Sequence, residues 1–71
     1  MNKRAKEYQK KVVDVLVRKY NMSELEAYKA IRTTFLYDSL CLYPEETLHD
    51  DIETNADFVY EDYTHPQLMR M

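Results

Sequence analysis

The sequence contains no glycine among its 71 residues. Glycine adopts positive φ at little cost, and tight β-hairpins, phosphate-binding loops and dinucleotide-binding turns depend on it. Its absence argues against those architectures and favours helices joined by short turns. The two prolines, Pro44 and Pro66, would then lie between helices or at their ends. The predicted fold class is all-α, a small bundle of three to four short helices.

Cysteine and long apolar runs are also scarce. Cys41 is the single cysteine, so no disulfide can form within the chain, and its position between two leucines favours a small buried hydrophobe over a reactive thiol. No apolar run approaches the roughly 20 residues that span a bilayer. The basic start, residues 1–4, lacks the apolar stretch of a secretory signal. We expect a cytoplasmic protein with a single domain over residues 1–71 and a frayed tail at about 64–71.

The net charge of −3 hides a strong polarity along the chain. Residues 1–32 hold nine of the ten basic residues and four acids, which gives +5. Residues 38–71 hold nine acids and one basic residue, Arg70, which gives −8. Such a chain could pair its own halves, or it could present a basic face to one partner and an acidic face to another.

Apolar residues recur every three or four positions from Asn2 to Tyr20, which predicts an amphipathic first helix. Asn21 suits the end of this helix, because asparagine tolerates the left-handed conformation. Ser23 then fits a capping box with Glu26, which would begin a second helix at about residue 24. The residues predicted to face inward on the second helix are Leu25, Tyr28 and Ile31.

The segment from residue 33 to residue 53 has two interpretations. The second helix could continue to Tyr37, or a break at Thr33 and Thr34, both poor helix formers, could begin a third helix that includes Cys41. Pro44, followed by two acids, favours a further helical turn. A last helix is predicted over residues 56–63, capped by Thr54 or Asn55.

Metal binding and catalysis have weak support in the sequence. Glu45, His49 and Glu53 would share a face only if residues 45–53 formed one helix. Zinc sites prefer more than one Cys or His, and helical di-iron sites take carboxylates from several helices. No serine, threonine or cysteine stands in a recognisable nucleophile motif. We therefore predict no enzymatic activity, no catalytic residue, no metal site and no cofactor.

Two hypotheses involve nucleic acids. The basic first helix could make the protein a DNA-binding regulator, but a pI near 5.3 and the acidic start of the second helix oppose this. Conversely, the acids of the second half could mimic a nucleic acid and inhibit an enzyme that acts on one.

Seven tyrosines are many for a chain that buries only about 60 to 65% of its unfolded surface. Tyrosine combines a large apolar area with a polar tip and is enriched in protein interfaces. The acidic, tyrosine-bearing second half is therefore predicted to bind another protein with a basic surface. A homodimer is the alternative that would cover apolar surface left open by a thin core. The predicted partner-binding residues are Tyr43, Asp50, Asp51, Glu53, Asp57, Tyr60, Glu61 and Tyr63.

The middle of the chain also carries a recognisable motif. The run from Lys19 to Ala27, KYN-x-S-x-x-EA with any residue at x, resembles the turn of a group of small, mostly uncharacterised bacterial helical proteins. The closing segment 56–60, Ala-Asp-Phe-Val-Tyr, is similar to their last helix, and the resemblance covers about residues 12–63. Genes of this group are often found beside toxin genes, including ADP-ribosyltransferase-like ones. The resemblance implies an antitoxin-like or accessory protein that binds and neutralises another protein, and it brings no catalytic residues.

Overall fold

The structure, a computed structural model, describes residues 1–65. That part of the chain forms five α-helices: α1 Lys3–Tyr20, α2 Glu24–Arg32, α3 Phe35–Leu42, α4 Pro44–Leu48 and α5 Ile52–Thr64. The all-α prediction is confirmed, and the helices outnumber the predicted three to four because the middle of the chain folds as separate short helices. None of the helices in residues 1–65 is long and apolar enough to cross a membrane. Of the tail predicted to fray, Thr64 still belongs to α5, and residues 66–71 lie outside the described part.

The first helix begins and presents its apolar face as its sequence predicts. The Asn2 side chain accepts a hydrogen bond from the Ala5 amide at 2.7 Å, which satisfies one of the backbone donors that a helix leaves open at its start. The buried face of α1 is the predicted apolar stripe: Ala5, Tyr8, Val12, Val13 and Leu16.

The turn between α1 and α2 also follows its sequence signals. Asn21 takes φ 57° and ψ 35°, the left-handed conformation predicted for it, and its amide donates to the Leu16 carbonyl. The Ser23 hydroxyl accepts a hydrogen bond from the Glu26 amide at 3.1 Å, so the predicted cap of α2 is confirmed. A turn that normally favours glycine is therefore made without one.

The predicted inward face of α2 is only partly correct. Ile31 is fully buried, but Leu25 is 83% exposed and Tyr28 is 37% exposed. Ala27 and Ala30 join Ile31 on the buried face, at the spacing that places side chains on one side of a helix. Leu25 lies two positions before that stripe, roughly half a helical turn away, and so faces outward.

A break at Thr33 and Thr34 separates α2 from α3, which resolves the two interpretations of this segment. The Thr33 hydroxyl donates to the Lys29 carbonyl and the Thr34 hydroxyl donates to the Ala30 carbonyl, both at 2.8 Å. The Ala30 carbonyl is the one that a longer helix would have bonded to the Thr34 amide, and that amide donates to the Ile31 carbonyl instead, so the Thr34 hydroxyl satisfies it. Pro44 then begins α4, at the first-turn position that suits proline.

The prediction that Cys41 is buried is wrong, because its thiol-bearing side chain is exposed. Leu36 and Leu40, four positions apart, form the buried face of α3. Cys41 follows Leu40 by one position, about 100° around the helix, and therefore faces away from the core.

The last helix begins at Ile52, four residues before the predicted start. Its cap is Asp51, whose carboxylate accepts hydrogen bonds from the Thr54 amide and the Thr54 hydroxyl, both at 3.0 Å. The predicted caps, Thr54 and Asn55, thus lie inside the helix. Asn55 is 6% exposed, and its amide nitrogen donates to the Tyr8 hydroxyl at 2.8 Å.

The core lies where α1 packs against α5, with α2 and α3 closing it. α1 contacts α5 near both of its ends, through Tyr8 with Asn55 and through Tyr20 with Tyr60. This arrangement brings the carboxyl-terminal end of the basic helix α1 next to the acidic outer side of α5. The buried residues beyond α1 include Ala27, Ala30, Ile31, Leu36, Leu40, Ala56 and Val59.

Candidate interaction surface

Three carboxylates follow one another along the outer side of α5. Glu53, Asp57 and Glu61 are spaced four residues apart, so they share one face of the helix. Glu53 and Glu61 are exposed and Asp57 is half-buried. We refer to these three residues as the acidic strip.

The carboxyl-terminal end of α1 holds part of the acidic strip in place. The Lys19 ammonium nitrogen lies 2.9 Å from Glu53 Oε2 and 3.0 Å from Asp57 Oδ1, and the Tyr20 hydroxyl donates to Asp57 Oδ1 at 2.6 Å. Exposed ion pairs add little stability in water, but two donors converging on Asp57 fix the position of its carboxylate. Neither Lys19 nor Tyr20 was among the predicted partner-binding residues, because only the packing of α1 on α5 brings them there.

These contacts change the acidity of the groups that make them. The hydrogen bond from Tyr20, followed by that from Lys19, lowers the pKa of the Asp57 carboxyl. The same bond to the Asp57 carboxylate raises the pKa of the Tyr20 phenol. The carboxylates of Glu53 and Asp57 raise the pKa of the Lys19 ammonium group. All three groups are therefore held in the protonation states that preserve the network at neutral pH.

A stacked pair of tyrosines lies beside the acidic strip. The rings of Tyr20 and Tyr60 are nearly parallel, at an interplanar angle of 6°, with centroids 3.8 Å apart. Both side chains are partly buried against the core, so they form a rigid, partly exposed aromatic surface. Tyr60 was predicted to bind a partner. Tyr20 stacks on Tyr60 and also donates a hydrogen bond to Asp57, so Tyr60 lies close to the acidic strip.

Asp50 and Asp51 occupy a separate corner, where α4 gives way to α5. They line a cleft of about 380 Å³ together with Arg4 and Lys11 of α1. The Asp50 carbonyl accepts a hydrogen bond from the buried Tyr8 hydroxyl at 2.9 Å. Since Asp51 caps α5, both residues support the fold as well as contributing negative charge.

Burial dominates the acidity of the tyrosine at this corner. Burial raises the pKa of the Tyr8 phenol, and the hydrogen bond from Asn55 only partly opposes that effect. Tyr8 therefore stays protonated and continues to donate to the Asp50 carbonyl at neutral pH.

The two remaining predicted residues lie elsewhere. Tyr43 is 61% exposed at the junction of α3 and α4. Tyr63 is half-buried and lines a groove of about 750 Å³ with Leu25, Tyr28 and Arg32 of α2. The eight predicted residues are thus divided between the acidic strip, the Tyr20–Tyr60 stack, the Asp50–Asp51 corner and these two outlying positions.

The possible metal ligands Glu45, His49 and Glu53 do not come together on one helical face. α4 ends at Leu48 and α5 begins at Ile52, so Glu45, His49 and Glu53 do not lie on one helix. Within residues 1–65, no group of three or more His, Cys, Asp and Glu side chains is arranged to hold a metal ion.

Sequence reasoning missed several large apolar side chains that lie at the surface. Leu42 is 68% exposed and Phe58 is 57% exposed. Phe58 packs edge-on against Phe35, with ring centroids 6.5 Å apart and an interplanar angle of 71°. Phe35 and Leu42 stand seven positions apart and so share the outer face of α3, which is the signal that the sequence offered for them.

Comparisons of the chain with protein-family models, with curated proteins and with solved structures give no match.

Proposed function

We propose that this protein is a small binding module that docks on a basic surface of another protein through the acidic strip and the Tyr20–Tyr60 stack. The observation that supports this most directly is the fixed position of Asp57 between Tyr20 and Lys19. Groups that are already held in place lose little conformational freedom on binding. The three carboxylates of the strip also outnumber the two basic residues beside it, Arg18 and Lys19, and the remaining negative charge favours and orients a basic partner.

The sharper form of the proposal is antitoxin-like: the chain neutralises a second protein in the cytoplasm by covering a basic site on it. This form is supported by the resemblance of residues 12–63 to small bacterial helical proteins encoded beside toxin genes. In this role the protein contributes a surface rather than a reaction. Its negative field would speed association with a positively charged site.

The test compares two variants with the same net charge. The first carries Glu53→Lys and Glu61→Lys, which reverse charge on the acidic strip but spare Asp57. The control carries Asp14→Lys and Glu24→Lys, two exposed acids away from that surface. Each tagged protein is used to capture the product of the neighbouring gene after co-expression in bacteria, and growth of the same cells reports neutralisation.

We expect capture and growth rescue to be lost in the first variant and retained in the control. Equal capture by both variants, with both folded by circular dichroism, would show that binding does not use the acidic strip. Failure of the unaltered protein to capture or neutralise that product would overturn the antitoxin-like form.

A further inference from the structure

A further cleft is lined mainly by basic rather than acidic residues. It is formed by α1, α2 and α3, has a volume of about 450 Å³, and is lined by Tyr28, Tyr37 and three lysines of α1. The lysines are Lys3, Lys6 and Lys10, spaced three and four residues apart, so they stand in a row beside the two aromatic rings. We refer to this site as the basic cleft.

The lysines of the basic cleft differ from the other basic residues of α1 in what faces them. Lys19 is paired with Glu53 and Asp57. Arg4 and Lys11 share a cleft with Asp50 and Asp51. In contrast, Glu7 is the single acid among the residues that line the basic cleft, and no ion pair within residues 1–65 involves its lysines. Positive charge therefore remains uncompensated at this site.

The aromatic residues of the basic cleft give it an apolar side. Tyr28 is more than a third exposed on the outer face of α2, and Tyr37 is only partly packed against the core. Tyrosine can contact an apolar side chain with its ring while its hydroxyl stays hydrated. Lysine behaves similarly, since its methylene stem covers apolar surface and its ammonium group stays in water. The site thus suits a ligand that is apolar on one side and negative on the other.

We propose that the basic cleft is a second interaction surface, which binds an acidic, amphipathic segment of a partner protein. The row from Lys3 to Lys10 extends about 10 Å along α1, the length of roughly two helical turns. A short helix with acids at matching spacing would meet the three lysines and place an apolar side chain against Tyr28 and Tyr37.

The surroundings of the basic cleft favour a short acidic segment over an extended nucleic acid. A polyanion that continued along α1 past Lys10 would meet Asp14, which lies one turn further on the exposed side. One that turned towards α3 would meet Asp38, next to Tyr37. A peptide needs positive charge only over its own length, and the basic cleft provides it over about that distance.

The experiment uses the whole chain and a displayed library of helical peptides about 12 residues long, a little over three turns. Half of the library is acidic and half is neutral or basic, and a labelled oligothymidine of similar length serves as the nucleic-acid probe. We expect acidic peptides with an aromatic or leucine anchor to be selected. Their binding should shift amide NMR signals of α1 near Lys6 and of α2 near Tyr28.

Two charge variants of equal net charge locate the site. Lys3→Glu, Lys6→Glu and Lys10→Glu together should weaken peptide binding by about tenfold or more, whereas Lys11→Glu, Arg18→Glu and Lys29→Glu together should change it much less. Tyr28→Ala should also weaken it about tenfold if its ring anchors the peptide. Circular dichroism checks that each variant remains folded.

Several results would overturn the proposal: selection of neutral or basic peptides, equal loss of binding in the two charge variants, or tighter binding of the oligothymidine at the same residues. The last result would identify the basic cleft as a site for single-stranded nucleic acid. The variant that carries Glu53→Lys and Glu61→Lys should bind the selected peptides as the unaltered protein does. Failure of this proposal is therefore distinguishable from failure of the acidic strip as a binding surface.

Discussion

Asn21 ends α1 in a conformation that most residues avoid. Among residues 1–65, it is the one non-glycine position with positive φ. The left-handed conformation costs an ordinary L-residue about 1–2 kcal/mol, asparagine less, and glycine almost nothing. The chain thus obtains a tight connection between α1 and α2 while using no glycine.

Substitutions at Asn21 should separate backbone strain from side-chain contacts. We expect Asn21→Ala to lower the free energy of unfolding by about 1 kcal/mol, and Asn21→Gly to change it by only a few tenths in either direction. Urea denaturation followed by circular dichroism measures both. An equal loss in the two variants would mean that the asparagine side chain, rather than the conformation, stabilises the turn.

The contacts of Asp57 should appear in the pH dependence of stability. Its pKa is lower in the folded protein than in the unfolded chain, so ionised Asp57 stabilises the fold above the ordinary carboxyl range. This contribution is lost as pH falls through the lowered folded value. We expect Asp57→Asn to lower the urea midpoint relative to the unaltered protein at pH 7, and the difference to shrink below about pH 4.

The control for this prediction is Glu61→Gln, which removes a carboxylate of the same strip that makes no hydrogen bond or ion pair within residues 1–65. Its midpoint should follow that of the unaltered protein at every pH. A gap between the Asp57→Asn variant and the unaltered protein that stays constant from pH 7 to pH 3 would contradict a role for ionised Asp57.

Between elements, a buried hydrogen-bond chain joins α1 to the start of α5. The Asn55 amide donates to the Tyr8 hydroxyl, which donates to the Asp50 carbonyl. All the buried polar side-chain atoms in the described part of the chain have partners. A polar group inside so small a core is tolerated because none of its buried side-chain atoms lacks a partner.

Removal of the Tyr8 hydroxyl should therefore lower the free energy of unfolding by more than the loss of a single hydrogen bond would. We expect Tyr8→Phe to lower the free energy of unfolding by about 1–3 kcal/mol, because the Asn55 amide then lacks an acceptor inside the protein. Asn55→Leu in the Tyr8→Phe background should recover part of this loss by removing the unsatisfied donor. A double-mutant cycle in urea measures the coupling, and strictly additive losses would count against the hydrogen-bond chain.

The bounds of the helices were predictable where local signals were unambiguous. α1 and the start of α2 could be placed because their caps bond to residues within the next helical turn. The predicted start of α5 was four residues too far along the chain, because Asp51, Thr54 and Asn55 are all residue types that cap helices. The choice depends on Asn55 bonding to Tyr8 across 47 positions of the chain, which no local pattern reveals.

The side chains of α3 show a second limit. Leu40, Cys41 and Leu42 are all apolar, and hydrophobicity alone does not tell which of them faces the core. The answer follows from the phase of the helix, which is set by the break at Thr33 and Thr34. That break was one of two open interpretations, so the spacing of Phe35 and Leu42 indicated a shared face but not that this face points outward, and the exposure of Cys41 was missed.

At the scale of the whole molecule, packing brings some basic residues of the first half of the chain next to acidic residues of the second half. Lys19 meets the acidic strip, and Arg4 and Lys11 lie near Asp50 and Asp51. The sequence indicated that the basic and acidic halves could pair or could face different partners. The structure shows some of each arrangement: Arg4, Lys11 and Lys19 of α1 lie near acids of α5 or of the segment just before it, and the lysines of the basic cleft do not.

The pairing of α1 with α5 also has a consequence during synthesis of the chain. The apolar stripe of α1 leaves the ribosome first, but the helix that covers it ends at Thr64, 44 positions after Tyr20. At about 5–20 residues per second, translation needs roughly 2–9 s to cover that distance. Until α5 has been made, it cannot cover Val12, Val13 and Leu16. Chaperones that recognise short apolar helices therefore have a window of seconds in which to bind this protein before its own last helix replaces them.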